Sequence, residues 1–426
     1  MTVPAERPPL RRSVIWIAVG NVIYLASQYG MLVAIAKLGT TTLVGEFSLA
    51  LALVSPVLVF SQMQLRQVFV TDAQGSVPFA AFFWTRVIAG AVAVAGTVGV
   101  MALLGYGGNF LLVTGLLGAA KFAESQSDIV YGSLQRQERM HLVAASMVVR
   151  GLLGLTAILL ALWRTGTLVG ASLALAFVWG LTFLCIDLPL LRSGHGPDRL
   201  RWRWDPAVVW GLIRTSAPLT VASGLVSLSA SVPRYFLEYY HGNEAVGLFA
   251  VAIMPISLMG LFTGAVSQAT LPRASLYLQT GRLSTFRSLA RKVATVNVLA
   301  GGALVGFLAL AGRPLVRALF TSEYDPTVPV MMILGAGVAL SGLAAYGSTV
   351  LSAGRHFTLQ LANVVLALAV QVPGCILSVP HFGIHGAAWA EFGKFGVTTI
   401  FLHAAGRRVY RTWRRSARLI SECSDS

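Results

Sequence analysis

Long apolar stretches alternate along the chain with short polar interruptions. Each stretch is about as long as a helix that crosses a bilayer, roughly 20 residues for a hydrocarbon core about 30 Å thick in which every backbone polar group must be paired. The pattern predicts twelve spans: 14 to 36, 43 to 65, 79 to 104, 109 to 133, 142 to 163 and 167 to 190, then 207 to 231, 245 to 270, 293 to 319, 327 to 352, 358 to 380 and 384 to 405. The longest polar interruption, Arg192 to Asp205, separates two sets of six. The expected organisation is a six-helix lobe (1–191), a basic cytoplasmic linker (192–206), a second six-helix lobe (207–405) and a basic cytoplasmic tail (406–426). The first apolar stretch exceeds a signal-peptide core and lacks a small-x-small site, so it is expected to stay in the mature protein.

The two sets resemble each other. Val44-Gly45-Glu46-Phe47 matches Val246-Gly247-Leu248-Phe249 at an offset of 202. Gly170-Ala171-Ser172-Leu173-Ala174 matches Gly386-Ala387-Ala388-Trp389-Ala390, and Arg139 matches Arg355, both at 216. Six spans per copy is an even number, so the copies share one orientation. The expected fold is an all-α polytopic membrane protein, with twelve transmembrane helices in two parallel six-helix repeats forming two lobes around a central cavity. The GxxxG pairs Gly166/Gly170, Gly260/Gly264 and Gly302/Gly306 predict close helix packing. Pro56, Pro218, Pro255 and Pro373 fall inside spans, where proline favours a kink.

Composition narrows the class. With 56% hydrophobic and 11% charged residues, the chain departs from soluble enzymes, disordered chains and coiled coils alike. A net charge of +16 in a soluble protein would suggest nucleic acid. Here 23 of the Lys and Arg residues fall on alternate segments that include both termini, against 5 on the others, which predicts cytoplasmic termini and no nucleic-acid partner. Arg407, Arg408, Arg411, Arg414, Arg415 and Arg418, with Tyr410 and Trp413 among them, predict a surface helix on anionic lipid. Cys185, Cys375 and Cys423 lie far apart, and His381 and His385 read as interfacial polar residues. With no Walker A sequence, HExxH or nucleophile elbow, neither an ATP-driven pump nor a metalloenzyme is expected, and no cofactor.

The remaining chemistry lies in charges within spans, each costly unless paired or wetted and therefore a functional candidate. Lys121, Glu124 and Asp128 fall at i, i+3 and i+7, on one helical face that cannot look at lipid. Glu391 and Lys394 are three apart in span 12, and spans 3 and 5 add Arg86 and Arg150. Ion pairing competes with function for the first set, and snorkelling to the inner surface competes for the two arginines. Asp187, near a span end, is expected to be solvated at the interface. At the offset of 216 these charges are not repeated, as a cavity for one specific ligand requires, and the cations suit a phosphate-bearing ligand. Arg234 and Glu238 form either a salt bridge or a gate, and Arg66 either anchors its helix or receives an anionic headgroup.

Val44 to Ala52 followed by Gln64-Leu65-Arg66-Gln67 resembles the second-span region of Wzx-type polysaccharide flippases. Pro233 to Leu237 through Ala245 to Phe249 resembles their passage from span 7 to span 8, and Gly383 to Ala390 their last span. These belong to the multidrug/oligosaccharidyl-lipid/polysaccharide exporter superfamily. The resemblance implies a non-enzymatic flippase in the bacterial inner membrane. Such a protein moves undecaprenyl-pyrophosphate-linked oligosaccharide outward for O-antigen, capsule or exopolysaccharide assembly, alongside membrane lipids and a polymerase or co-polymerase. Under that implication Arg66, Arg86, Lys121, Arg150 and Lys394 meet substrate, Glu124, Asp128 or Glu391 couples an ion, and Arg234 with Glu238 gates. The alternatives are an ion-coupled multidrug/cation antiporter, for which span 1 lacks the expected acidic residue, a lipid II flippase, which has two further spans, and a polymerase or ligase, which needs a large outer loop.

Overall fold

The computed structural model describes residues 10–72, 77–192, 200, 205–354 and 356–424, without the side chains at 10–14, 192 and 416–424. Arg7, Arg199, Arg201, Arg203, Arg355, most of the 192–206 linker, and the side chains of Arg11, Arg12, Arg192, Arg418 and Cys423 lie outside the described residues.

The described residues contain helices and no strand. The first half comprises α1 (Leu10–Leu38), α2 (Thr41–Gln62), α3 (Leu65–Thr71), α4 (Phe79–Leu103), α5 (Gly108–Arg136), α6 (Met140–Thr165), α7 (Leu168–Thr182), a π-helical turn (Phe183–Asp187) and α8 (Leu188–Arg192). The second comprises α9 (Pro206–Ala252), α10 (Met254–Gln279), α11 (Leu283–Leu319), α12 (Thr327–Ser341), α13 (Ala344–Ala353) and α14 (Phe357–Ser424). Among the described residues eight helical stretches are long and apolar enough to cross a membrane, and α12 with α13, bent by 46°, makes a ninth. Two of those stretches contain a glycine with positive φ, Gly242 at 75° and Gly383 at 53°, and each divides there into two arms. Gly supplies this left-handed turn because it has no Cβ to clash. With α5, which carries Lys121, Glu124 and Asp128 within its span, the spans among the described residues number twelve, as the hydropathy pattern predicts.

Local chemistry explains the boundaries. Thr40 caps α2 by accepting from the Leu43 amide at 3.3 Å, and Thr167 caps α7 through Gly170 at 3.2 Å. Met63 and Gln64 take left-handed conformations (φ 49° and 48°), so the second span ends there and α3 leaves at a new angle. Pro255 lies in the first turn of α10, where its missing N–H costs nothing, directly after the helix break at Ile253 inside the span 245 to 270.

The chain packs as two compact units, Met1–Ser231 and Val232–Ser426. In the first, Phe69 meets Phe79 and Phe82 edge to face at 5.1 and 5.3 Å, within an apolar cluster that fastens α3 and α4 to Ile129, Val130 and Leu134 of α5. In the second, Phe286 of α11 stacks on Tyr410 and meets Trp413 edge-on, so the basic tail docks on α11. Tyr410 is buried against protein there, so it serves to dock the basic tail on α11.

The expected GxxxG seams do not form. Gly260, Gly264, Gly302 and Gly306 have open space where a Cβ would project, and Gly166 is a helix C-cap at φ 64°. A close approach occurs one residue away, at Gly301, where an added Cβ would fall 2.5 Å from the Ala339 Cα. Four-residue spacing puts two small residues on one face, but the neighbouring helix decides which face is used.

Candidate functional site

The polar face of α5 is the centre of the first unit's chemistry. That helix packs against α2, α3, α4, α6, α7 and α8, so its ionisable side chains point at other helices and require partners from them. Three linked groups result.

Nearest the α3 end, Asp128 receives Arg66 at 2.6 Å and Arg86 at 2.9 Å, one on each carboxylate oxygen. Arg66 also donates to Gln135 Oε1 at 3.0 Å, and Arg86 Nε to Ser125 Oγ at 3.2 Å. The chain break at Met63–Gln64 brings Arg66, in the first turn of α3, to this point. Two cations share one carboxylate, leaving a net positive charge.

One turn toward the N-terminus of α5, Lys121 donates to Glu124 at 2.8 Å and lies 5.1 Å from the centroid of the Trp179 ring. Tyr24 of α1 donates a short hydrogen bond to the other oxygen of Glu124. Arg66 and Asp128 keep 31% and 35% of their side-chain surface exposed, and Lys121 and Glu124 keep 23% and 26%. These four form the accessible part of the site.

Behind them lies a buried group. Arg150 pairs with Asp187, whose oxygens also accept from Ser127 at 2.6 Å and Ser146 at 2.5 Å. Tyr131 and Ser146 share a hydrogen bond at 2.8 Å, and Arg150 lies 5.8 Å from the Tyr131 ring centroid. Asp187 is wholly buried, which corrects its reading as an interfacial residue, and the π-helical turn ending at Asp187 carries it into the bundle. Arg86 and Arg150 are equally enclosed, so neither snorkels. A buried charge persists only with a partner, and carboxylates supply it in both cases.

The other expected residues lie apart from this site. Glu391 pairs with Lys394 in the second arm of α14 and accepts from Gln371 at 2.5 Å, largely buried within the second unit. Arg234 and Glu238 are half-buried, four apart on the first arm of α9, a turn before Gly242. Among the described residues, no group of three His, Cys, Asp or Glu side chains has metal-binding geometry. Sequence reading missed Tyr24, Trp179, Ser127, Ser146 and Gln135. Their one sequence signal is position, since Ser127 and Gln135 share the charged face of α5.

The architecture is shared with solved structures of transporters. The chain matches an inward-facing multidrug resistance MATE family transporter of the MOP superfamily (TM-score 0.67, 14% identity, 94% of this chain and 95% of that one). It matches equally a MOP superfamily transporter from Pyrococcus furiosus noted for a binding pocket of reverse polarity (TM-score 0.67, 15% identity, 94% and 95%). The class so defined is a multi-pass membrane protein with the MOP transporter fold of two six-helix repeats. Residues 10–277 match the model of the polysaccharide biosynthesis protein family, and the chain belongs to that family. A curated relative, the capsular polysaccharide biosynthesis protein CapF of Staphylococcus aureus, is 25% identical over 376 residues, 87% of this chain and 92% of the relative. Family membership connects the chain with polysaccharide biosynthesis, and its fold is the one seen in MOP-superfamily transporters.

Proposed function

We propose that the protein flips undecaprenyl-pyrophosphate-linked oligosaccharide from the cytoplasmic to the outer leaflet of a bacterial inner membrane, by alternating access, for assembly of a surface polysaccharide. The termini are cytoplasmic in this reading, and a polymerase or co-polymerase receives the product. The observation that carries it is the accessible, net-cationic edge of the α5 network, where Arg66 and Lys121 stand ready to exchange carboxylate partners for phosphate oxygens. Arg86 and Arg150 hold the carboxylates from behind. Glu124, which accepts from a single cation, Lys121, and from the Tyr24 hydroxyl, is the carboxylate we assign to a coupling proton. Membership of the polysaccharide family favours this over a drug/cation antiporter.

The test is a deletion strain complemented with wild type, Arg66→Gln or Lys121→Gln at matched expression. It is scored for long-chain surface polysaccharide and for lipid-linked oligosaccharide trapped on the inner leaflet. Loss of polymer with accumulation of the trapped intermediate supports flipping. Intact polysaccharide in a deletion strain without a second flippase overturns it.

A further inference from the structure

The second unit holds a basic pocket that the α5 network does not include. Its volume is about 630 Å³, within the range of small-molecule sites. Its arginines come from two helices, and Leu343 and Tyr346 at the start of α13 add to the wall. Arg287 and Arg291, four apart, line it from α11, while Arg407, Arg411 and Arg414, at i, i+4 and i+7, face them from the tail arm of α14. A neighbouring basin of about 530 Å³ shares Arg287, Arg291 and Arg414 and adds Lys292 with Ser284 and Ser288. Neither lining contains a carboxylate.

The packing beneath holds these arginines together. Tyr410 donates to the Leu283 carbonyl at 3.2 Å, its ring stacks on Phe286, and Arg287 sits 5.7 Å from its centroid. The tail therefore cannot swing away to relieve repulsion between the two basic stripes without giving up this apolar contact. A cluster of guanidiniums fixed at one mouth is a receptor for phosphate oxygens, which bind the planar fork bidentately.

The other wall specifies more. Val298, Leu299 and Leu343 form the apolar part of a lining that also holds Tyr346 and His403, and Leu299 is 67% exposed. The basic stretch at the start of α11 ends at Lys292 and an uncharged, largely apolar run follows from Val293 to Gly312, so the pocket lies where the chain passes from polar to bilayer-compatible surface. We propose that this pocket binds the head of a phosphate-bearing lipid, with phosphate on Arg287, Arg291, Arg407 and Arg411 and hydrocarbon along Leu299 and Leu343. The inference is independent of the flippase reading, since it draws on no residue of the α5 network.

The experiment uses full-length protein purified in detergent and titrated with dioctanoyl phosphatidic acid, dioctanoyl phosphatidylcholine or inorganic pyrophosphate, with bound ligand measured by native mass spectrometry. Phosphatidic acid is expected to bind saturably. Arg291→Gln and Arg411→Gln, both at exposed positions that keep the fold intact, each weaken it by roughly tenfold. Arg408→Gln and Arg415→Gln, on the same tail helix but outside the lining, leave binding unchanged. Leu299→Ser weakens the lipid and not pyrophosphate. Equal losses in the Arg408 and Arg415 variants, or equal binding of phosphatidylcholine, would show general surface attraction and overturn the pocket. Pyrophosphate binding as tightly as the lipid, with the same arginine dependence, would assign the site to soluble phosphates and overturn the lipid assignment.

Discussion

Replacing Asp187 with alanine isolates the structural part of the α5 network. Asp187 is wholly buried and accepts from Arg150, Ser127 and Ser146. Its removal leaves a guanidinium enclosed without a counter-charge and two hydroxyls without their acceptor. Breaking a buried pair from one side costs about 3–5 kcal/mol. At about 1.4 kcal/mol per factor of ten, this is on the order of a thousandfold in the folding equilibrium. In a unit of this size 1 kcal/mol moves the midpoint by about 2–4 °C, so the melting temperature falls by on the order of 10 °C. Size-exclusion chromatography of a fluorescent fusion after stepwise heating reads this directly. Arg150→Met with Asp187→Leu removes both charges and recovers most of the loss, because a well-packed apolar pair is about as stable as the ion pair it replaces. The coupling energy from the four-protein cycle isolates the pair. An unchanged melting temperature in Asp187→Ala, or no recovery in the double variant, would refute the reasoning.

The accessible pairs behave oppositely. Arg66→Gln changes stability by less than about 1 kcal/mol, because the pair it breaks is partly exposed, yet lowers surface polysaccharide by roughly tenfold; a large drop in melting temperature with normal polymer would reverse the roles. Gly301→Val costs about 1–3 kcal/mol by forcing apart α11 and α12, whereas Gly302→Val, one residue on and facing open space, stays within about 0.5 kcal/mol; thermal melts of the two variants decide. Arg317 donates to Asp325 at 2.5 Å and holds that carboxyl below its usual range. With the folded pKa depressed, the contribution is present above about pH 4 and is lost as pH falls through the folded value, so amides at 320–326 exchange faster in acid. Asp325→Asn should show the fast exchange already at neutral pH.

Sequence made the helices legible because hydropathy at span length is dictated by the bilayer, and that constraint acts on each segment alone. It also located Lys121, Glu124 and Asp128 on one face, since helical spacing is local. Partners were another matter. Asp187 follows Arg150 by 37 residues, flanked by leucines and isoleucine, and nothing in that spacing says the π-helical turn directs it inward. Tyr410 and Trp413 sit among arginines in a pattern that suits an interface as well as a docking face, and only the presence of Phe286 decides. The glycines failed as a guide for the same reason: Gly301 and Gly302 differ in nothing but the neighbour each one meets.

The fourth span of each repeat shows what duplication has done. At the offset of 216 that aligns them, Glu124 falls on Leu340 and Asp128 on Ala344, on either side of the 46° break between α12 and α13. One copy has kept an unbroken rod and cross-tied it with ion pairs; the other has given up both the charges and the continuity. The two fourth spans are thus chemically unlike, one a continuous ion-paired helix and the other a jointed, uncharged pair of helices.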